Sequence, residues 1–313
     1  MSAPSVLFDA PGPRARARHR VLTVFGVLLG AAGLGVVLWK FQQAGQLDAD
    51  LWSRYVLSAD VWTEYLVPGI LKTLQAAAVS IVLAMVFGLV FGMGRLSQLA
   101  PVRWFCGVVV EFFRAVPVLL MMYFAFGVYA VNNVFGVDFN AFYAVVTGLT
   151  LYNGSVIAEL VRSGVHQLPR GQAEAGLSIG LSPGQVLRSI ELPQALTAML
   201  PALVGQLVVI LKDSALGTAI TYPELLQVAR DAGTAYAAPI PAFVVAAVLF
   251  ILLNYGLTLV AGRVERRINR RGRAAGGTTT NAMPGAPGGT GAMPSTGLGG
   301  ENVQNLDPTS TAR

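Results

Sequence analysis

The strongest constraint on this chain is a series of uncharged apolar runs: Val21–Trp39, Leu74–Gly94, Ala115–Val137, Phe139–Ala158, Leu192–Leu211 and Ile240–Gly262. A helix rises about 1.5 Å per residue, so about 20 apolar residues cross the hydrocarbon core of a bilayer. Each run is of that length. Only 12% of the residues are charged, where a soluble globular chain carries about 25%. The apolar side chains therefore face lipid as well as one another. The reading is an all-α polytopic membrane protein with six transmembrane helices.

The first run invites comparison with a cleaved signal peptide. Such a peptide has an apolar core of about 7–15 residues and a small-x-small cleavage site. Val21–Trp39 is longer and ends Val-Val-Leu-Trp-Lys, so a retained helix over 21–40 is expected. Residues 1–20 are Pro-, Ala- and Arg-rich and read as a flexible basic arm, and 274–313, rich in Gly, Thr and Pro, reads as a disordered tail. In the second run, Gly88, Gly92 and Gly94 let helices approach closely. Trp52, Tyr55, Trp62 and Tyr65 are available as interfacial anchors. Pro193 and Pro201 interrupt the fifth run. Either neighbouring helices satisfy the freed backbone groups or the helix starts after Pro193.

Orientation follows from the basic residues. With the N-terminus in the cytoplasm, the inside segments hold Arg14, Arg16, Arg18, Arg20, Arg95, Arg103, Arg162, Arg170, Arg188, Arg263, Arg266, Arg267, Arg270, Arg271 and Arg273, against only Lys40, Arg54 and Arg230 outside. That asymmetry places both termini in the cytoplasm. Cleavage of the first helix would leave the other five in the same orientation. The net charge of +6 thus reflects membrane topology, and no nucleic-acid partner is expected.

Several chemistries are excluded. The single cysteine, Cys106, allows no intrachain disulfide. The three lysines, Lys40, Lys72 and Lys212, lack the glycines of a phosphate-cradling loop, so the chain has no ATPase of its own. No Ser/His/Asp spacing of a hydrolase occurs. His19 and His166 stand without clustered partners, and Met121–Met122 reads as packing.

The longest inside loop, 160–191, reads as two short helices. The first spans about 171–179, with Gly180 as a left-handed cap. Ser182 then serves as N-cap, with Pro183 at the first helical position and Gln185 closing a capping box. The second helix is expected to stop before Pro193. Such an element suits docking into a groove on another protein.

The string EAGLSIG at 174–180, followed by IELP at 190–193, resembles the EAA loop of ABC importer permeases. PGILKTL (68–74), EFFRAVPVLL (111–120), AELVRSGV (158–165), RGQAEAG (170–176), ELPQAL (191–196) and LKDSALG (211–217) resemble the polar-amino-acid branch of that family, in its order. The resemblance covers roughly residues 66–265. It implies a five-helix type I importer permease core preceded by one extra helix, in a bacterial inner membrane. It implies that 160–191 couples to a cytoplasmic ATPase dimer through Glu174, Ala175, Gly176, Gly180, Ile190, Leu192 and Pro193. It also implies a second permease, identical or related, and an extracytoplasmic amino-acid-binding protein. ATP would be bound by the partner, leaving this chain with no cofactor. The family's second alanine is Gly176 here, and the following residue, often Arg, is Leu177.

Arg114, Lys212 and Asp213 are the candidates for the translocation path, because charge at membrane depth is costly and usually faces a partner or an aqueous cavity. For Arg114 the alternative is an i,i+3 pair with Glu111. Lys212 and Asp213 either pair with neighbours or line the path. Glu159 and Arg162 read as structural. The rival functions are an ATP-independent secondary carrier or channel, and an intramembrane enzyme. A carrier usually shows repeated broken helices, and an enzyme needs paired acids, a dyad or a metal cluster, and none stands out.

Overall fold

Lipid offers the backbone no hydrogen-bond partners, so each apolar run must satisfy its own N–H and C=O groups. The computed structural model describes residues 12–276, with side chains to 267. Among the described residues there is no strand. The helices are α1 (Pro13–Gln43), α2 (Ala49–Leu57), α3 (Val67–Arg95), α4 (Ala100–Ala115), α5 (Val118–Asn132), α6 (Val137–His166), α7 (Arg170–Ser178), α8 (Pro183–Val186), α9 (Leu192–Asp213), α10 (Leu225–Ala235) and α11 (Pro239–Gly276). Single π-turns at Val61–Leu66 and Leu187–Glu191 lead into α3 and α9. The described residues up to Arg271 belong to one compact unit.

Among the described residues, five helical segments are long and apolar enough to cross a membrane, and α4 with α5, counted as one broken span, makes six. The expected all-α polytopic architecture is therefore present. Two boundaries differ from expectation. The first helix begins at Pro13, so residues 13–20 of the expected flexible arm are helical. Residues 1–11 and the tail from 277 lie outside the described residues. The third span is not the single run Ala115–Val137. It bends by 98° between α4 and α5. Pro117 explains the bend: the ring disfavours the helical region for the residue before it, and Val116 is extended, with φ −86° and ψ 127°.

The central helix is α6. Its apolar window is 61% buried, against 6% for α11 and none for α1. Leu149, Ile157 and Val161 of α6 pack with Ala76 and Ala84 of α3, Met122 of α5 and Met199 and Leu203 of α9. Helix α3 approaches α6 closely because Gly88 lies directly on Ile157, leaving no room for a Cβ. Glycine costs a helix about 1 kcal/mol relative to alanine, which the backbone approach offsets through dispersion contacts.

A second cluster joins α2, the first π-turn, α10 and α11 through Tyr55, Val61, Leu66, Leu225, Ala229 and Ala242. Here Tyr55 departs from the anchor role expected of it: it is 1% exposed and meets Tyr236 edge-on at 6.2 Å. Trp52 and Trp62 turn their indole N–H groups back to the Gln46 and Val56 carbonyls. Helix α1 buries none of its residues. Its link to the core is Gln46, which donates to the Ala237 carbonyl and accepts from the Ile240 N–H.

Candidate functional site

Two sites emerge, one on the arginine-rich side of the molecule and one just inside it. The first is the element α7–turn–α8. Helix α7 ends in a Schellman motif: the Gly180 N–H donates to the Leu177 carbonyl at 3.0 Å, and the Leu181 N–H to the Gly176 carbonyl at 3.2 Å. Gly180 takes φ +86°, a conformation costly for any residue with a Cβ. Ser182 and Gln185 form the anticipated capping box, with the Ser182 N–H donating to Gln185 Oε1 at 2.8 Å. Both ends of the turn are thus locked by hydrogen bonds.

Gly176 is buried where α7 crosses the second π-turn. A Cβ there would lie 2.8 Å from Ile190 Cδ1 and 2.8 Å from Val186 Cγ2. The departure from alanine at this position is therefore a packing requirement. Gly176 and the half-buried Ile190 form the inside of the element. Glu174, Ala175 and Gly180 are exposed, as are Leu177 (48%) and Ile179 (77%). The apolar spacing in this helix suggests Ala173, Ala175, Leu177 and Ile179 as packing positions, but of these only Ala173 is even half-buried; Gly176 takes the packing position instead.

The second helix does not stop before Pro193. From Pro183 to Ile220 the chain runs as one helical rod through α8, the π-turn, α9 and a closing 3₁₀ turn. Proline in a helix interior removes a hydrogen bond and clashes with the preceding turn. The widened turn at Leu187–Glu191 leads straight into Leu192 and Pro193 at the start of α9 and accommodates the proline ring and its missing N–H within the continuous rod. Pro201 sits within α9. The two-helix element is consequently continuous with a membrane span.

The second site is an ion-pair cluster. Glu159 on α6 accepts from Arg95 Nη1 of α3 at 2.7 Å and from Arg162, and it forms an ion pair with Arg114 Nη1 of α4 at 3.2 Å. Glu111 meets Arg95 at 3.0 Å and Arg114 at 3.5 Å. Arg114 thus makes the expected i,i+3 pair, but its closer partner is Glu159. Placed in the last turn of α4, Arg114 also complements the helix dipole. Arg95 is 13% exposed, whereas Glu111 is 59% exposed. The cluster opens into a cavity of about 530 Å³ lined by Glu111, Arg114, Tyr152, Val156, Glu159 and Ser163. A neighbouring apolar cavity of about 670 Å³ fills the α4–α5 elbow, lined by Phe112, Phe113, Met121, Phe124 and Leu151 among others. Acid and base side by side in a cleft can meet both charges of a zwitterion.

Lys212 and Asp213 lie at the far end of α9. Lys212 is exposed and Asp213 half-buried, and neither enters an ion pair among the described residues. The sequence reading grouped them with Arg114, but the fold separates them along the spans. It missed the link between Asn153 and Gln206. Gln206 Nε2 donates to Asn153 Oδ1 across the α6–α9 contact. Among the described residues no His/Cys/Asp/Glu group could hold a metal ion.

A bundle of apolar spans, one of them broken beside buried charges, with a capped two-helix element projecting from one side, defines a membrane transport component. The chain belongs to the family of binding-protein-dependent transport system inner membrane components, whose model matches residues 84–270. The glutamate transport system permease protein GluD of Corynebacterium glutamicum is 47% identical over 230 residues, covering 74% of this chain and 84% of that protein. HisM, the histidine/lysine/arginine/ornithine transport system permease protein of Salmonella typhimurium, is 32% identical over 210 residues, covering 65% and 89%. In fold, the chain resembles a solved amino acid ABC transporter (TM-score 0.59, 23% identity, covering 66% of this chain and 95% of that one). It also resembles an inward-facing MetNI methionine ABC transporter (TM-score 0.58, 23% identity, covering 67% and 99%).

Proposed function

We propose that this chain forms the membrane path of an ATP-driven importer for polar amino acids, glutamate, glutamine and basic amino acids being the candidate class. The observation that carries the reading is the α7–turn–α8 element: locked by its caps, packed through Gly176 and continuous with α9. A rigid lever fused to a span is what a separate motor subunit needs in order to move helices. The relatives' names as glutamate and histidine/lysine/arginine/ornithine permeases support the substrate class.

In this reading the arginine-rich side faces the cytoplasm and the chain sits in the bacterial inner membrane with both termini inside. A cytoplasmic ATPase dimer receives α7. Glu174 meets a basic or polar group on it, Leu177 and Ile179 fill an apolar pocket, and Gly176, Gly180, Ile190, Leu192 and Pro193 hold the lever's shape. ATP is bound by that partner, and the chain itself needs no cofactor. A second permease, identical or related, covers the cleft that holds Glu111 and Arg114, since these charges would be costly to expose to lipid tails. An extracytoplasmic binding protein delivers substrate. Arg114 and Glu111 bind the carboxylate and ammonium of the passing amino acid, and Lys212 and Asp213 mark the outer entrance. The ATPase shifts the permease between its two access states only through contacts that differ between them.

The test is uptake into vesicles holding the complete complex, with and without internal ATP, for the parent and for Glu174→Lys and Leu177→Asp. Hot-spot contacts are worth about 2 kcal/mol or more, so each variant should lose uptake by roughly thirtyfold and release the ATPase on purification. Uptake that persists without ATP and in both variants would make the chain an ATP-independent carrier or channel.

A further inference from the structure

We propose that the basic ends of α1 and α11 form a binding surface for anionic phospholipid headgroups of the leaflet they emerge into, an assignment independent of the transport function proposed above. Helix α1 does not start at its apolar run. It begins at Pro13, and its first two turns carry Arg14, Arg16, Arg18 and Arg20 with no acidic residue. Helix α11 does not end at its apolar run either. It continues through Gly276, past Arg263, Arg266, Arg267, Arg270 and Arg271, with Glu265 as the lone acid in that stretch.

Orientation alone does not call for this much charge. Arg95, Arg103, Arg162, Arg170 and Arg188 already mark the same side. Arg14, Arg18, Arg20, Arg263, Arg266 and Arg267 are exposed, and none enters an ion pair among the described residues.

The geometry favours lipid over a protein partner. At about 100° per residue, Arg14 and Arg18 fall on one side of α1 and Arg16 and Arg20 on the opposite side. A protein docks on one face, whereas headgroups surround a lone helix. Helix α1 is such a helix: it has no buried residue, and Val21, Leu22, Val24 and Val27, spread around the helix at about 100° per residue, are 55–68% exposed. Depth agrees. Arg20 and Arg263 abut the apolar runs, and Arg14 lies about 10 Å beyond Val21 at 1.5 Å per residue, within about one screening length of the headgroup charges. Arginines so placed are drawn to an anionic leaflet, and their long stems keep the guanidinium at the interface.

The experiment counts lipids retained by the purified full-length chain in native mass spectrometry, after exposure to equal phosphatidylglycerol and phosphatidylcholine. Three proteins are compared: the parent, a variant with Arg14, Arg16, Arg18, Arg20, Arg263, Arg266 and Arg267 all changed to Gln, and its all-Lys counterpart. The parent should prefer phosphatidylglycerol by at least tenfold, less so as salt rises. The Gln variant should lose the preference, and the Lys variant should keep it, because a diffuse anionic surface needs charge and not the planar guanidinium fork. A preference that survives in the Gln variant, disappears in the Lys variant or ignores salt in the parent would overturn the proposal. So would loss of ATPase capture by the Gln variant with its lipid preference intact, which would assign the arginines to a protein contact. If the Gln variant does not fold, the Lys variant and the salt series still decide. Uptake enters none of these readouts, so failure here leaves the transport reading standing.

Discussion

Glu159 of α6 accepts a hydrogen bond from Arg95 of α3 at 2.7 Å, and the two side chains are 21% and 13% exposed. They lie 64 residues apart in the chain. The pair lies at the arginine-rich end of the α3–α6 contact, below Gly88 and Ile157. Removing one partner of such a pair leaves the other charge poorly solvated. Glu159→Gln should therefore destabilise the purified protein by about 2 kcal/mol, read as a fall of several degrees in its melting midpoint. Glu111→Gln, at a carboxylate 59% exposed, should cost less than about 1 kcal/mol. Equal effects would mean that burial does not set the strength of this cluster.

Gly176 tests the lever. In Gly176→Val, new atoms would stand 2.8 Å or less from Ile190 and Val186, and overpacking of this kind costs about 1–3 kcal/mol. The expected result is a large loss of ATP-dependent uptake with the membrane spans intact. Adding Ile190→Ala should recover much of it, since the two sites share one contact. No recovery would place the fault outside this packing.

The Asn153–Gln206 hydrogen bond joins α6 to α9 inside the membrane. Changing each residue to Leu, singly and together, should give a coupling of about 0.6–1.7 kcal/mol in a double-mutant cycle on unfolding. Purely additive effects would show that the bond contributes nothing net.

Glu224 lies outside the spans, fully buried at the start of α10, where its carboxylate accepts from the Leu226 and Gln227 N–H groups. Burial pushes its pKa up to about 7, against the pull of those two hydrogen bonds. A carboxyl group whose folded value is raised binds its proton more tightly when folded. Its stabilising contribution is complete below the ordinary carboxyl range and is lost as pH rises through about 7. The melting midpoint should therefore rise as pH is lowered from 8 to 5, and Glu224→Gln should flatten that slope. A Gln variant with the parent's slope would assign the pH dependence to another group.

The elements differ in how far the sequence disclosed them. The spans were legible because lipid imposes one rule on every residue of a run: no charge for about 20 positions. The caps at Gly180, Ser182 and Gln185 were legible because they are local, each hydrogen bond closing within a few residues. The family resemblance of 160–191 and 111–120 was legible as strings. Pro117 was visible as a residue, but its 98° consequence was not, since a proline in a span is either bent or straightened by the helices packed on it. Pro193 misled for the converse reason, because a π-turn supplied by the tertiary fold absorbed it.

What the sequence by itself determined is therefore the class of solvent, the number and order of spans, their basic side and the local turn chemistry of the lever. What only the tertiary structure decided is which charges meet. Glu159 looked like a neighbour of Arg162 alone until α3 and α4 brought Arg95 and Arg114 to it. Gly176 stood only as a departure from the family's alanine until Ile190 and Val186 closed on it. Periodicity and hydropathy act over one or two turns and can be read along the chain. Ion pairs and close packing across helices depend on which faces meet, and that choice is made only when all the spans pack together.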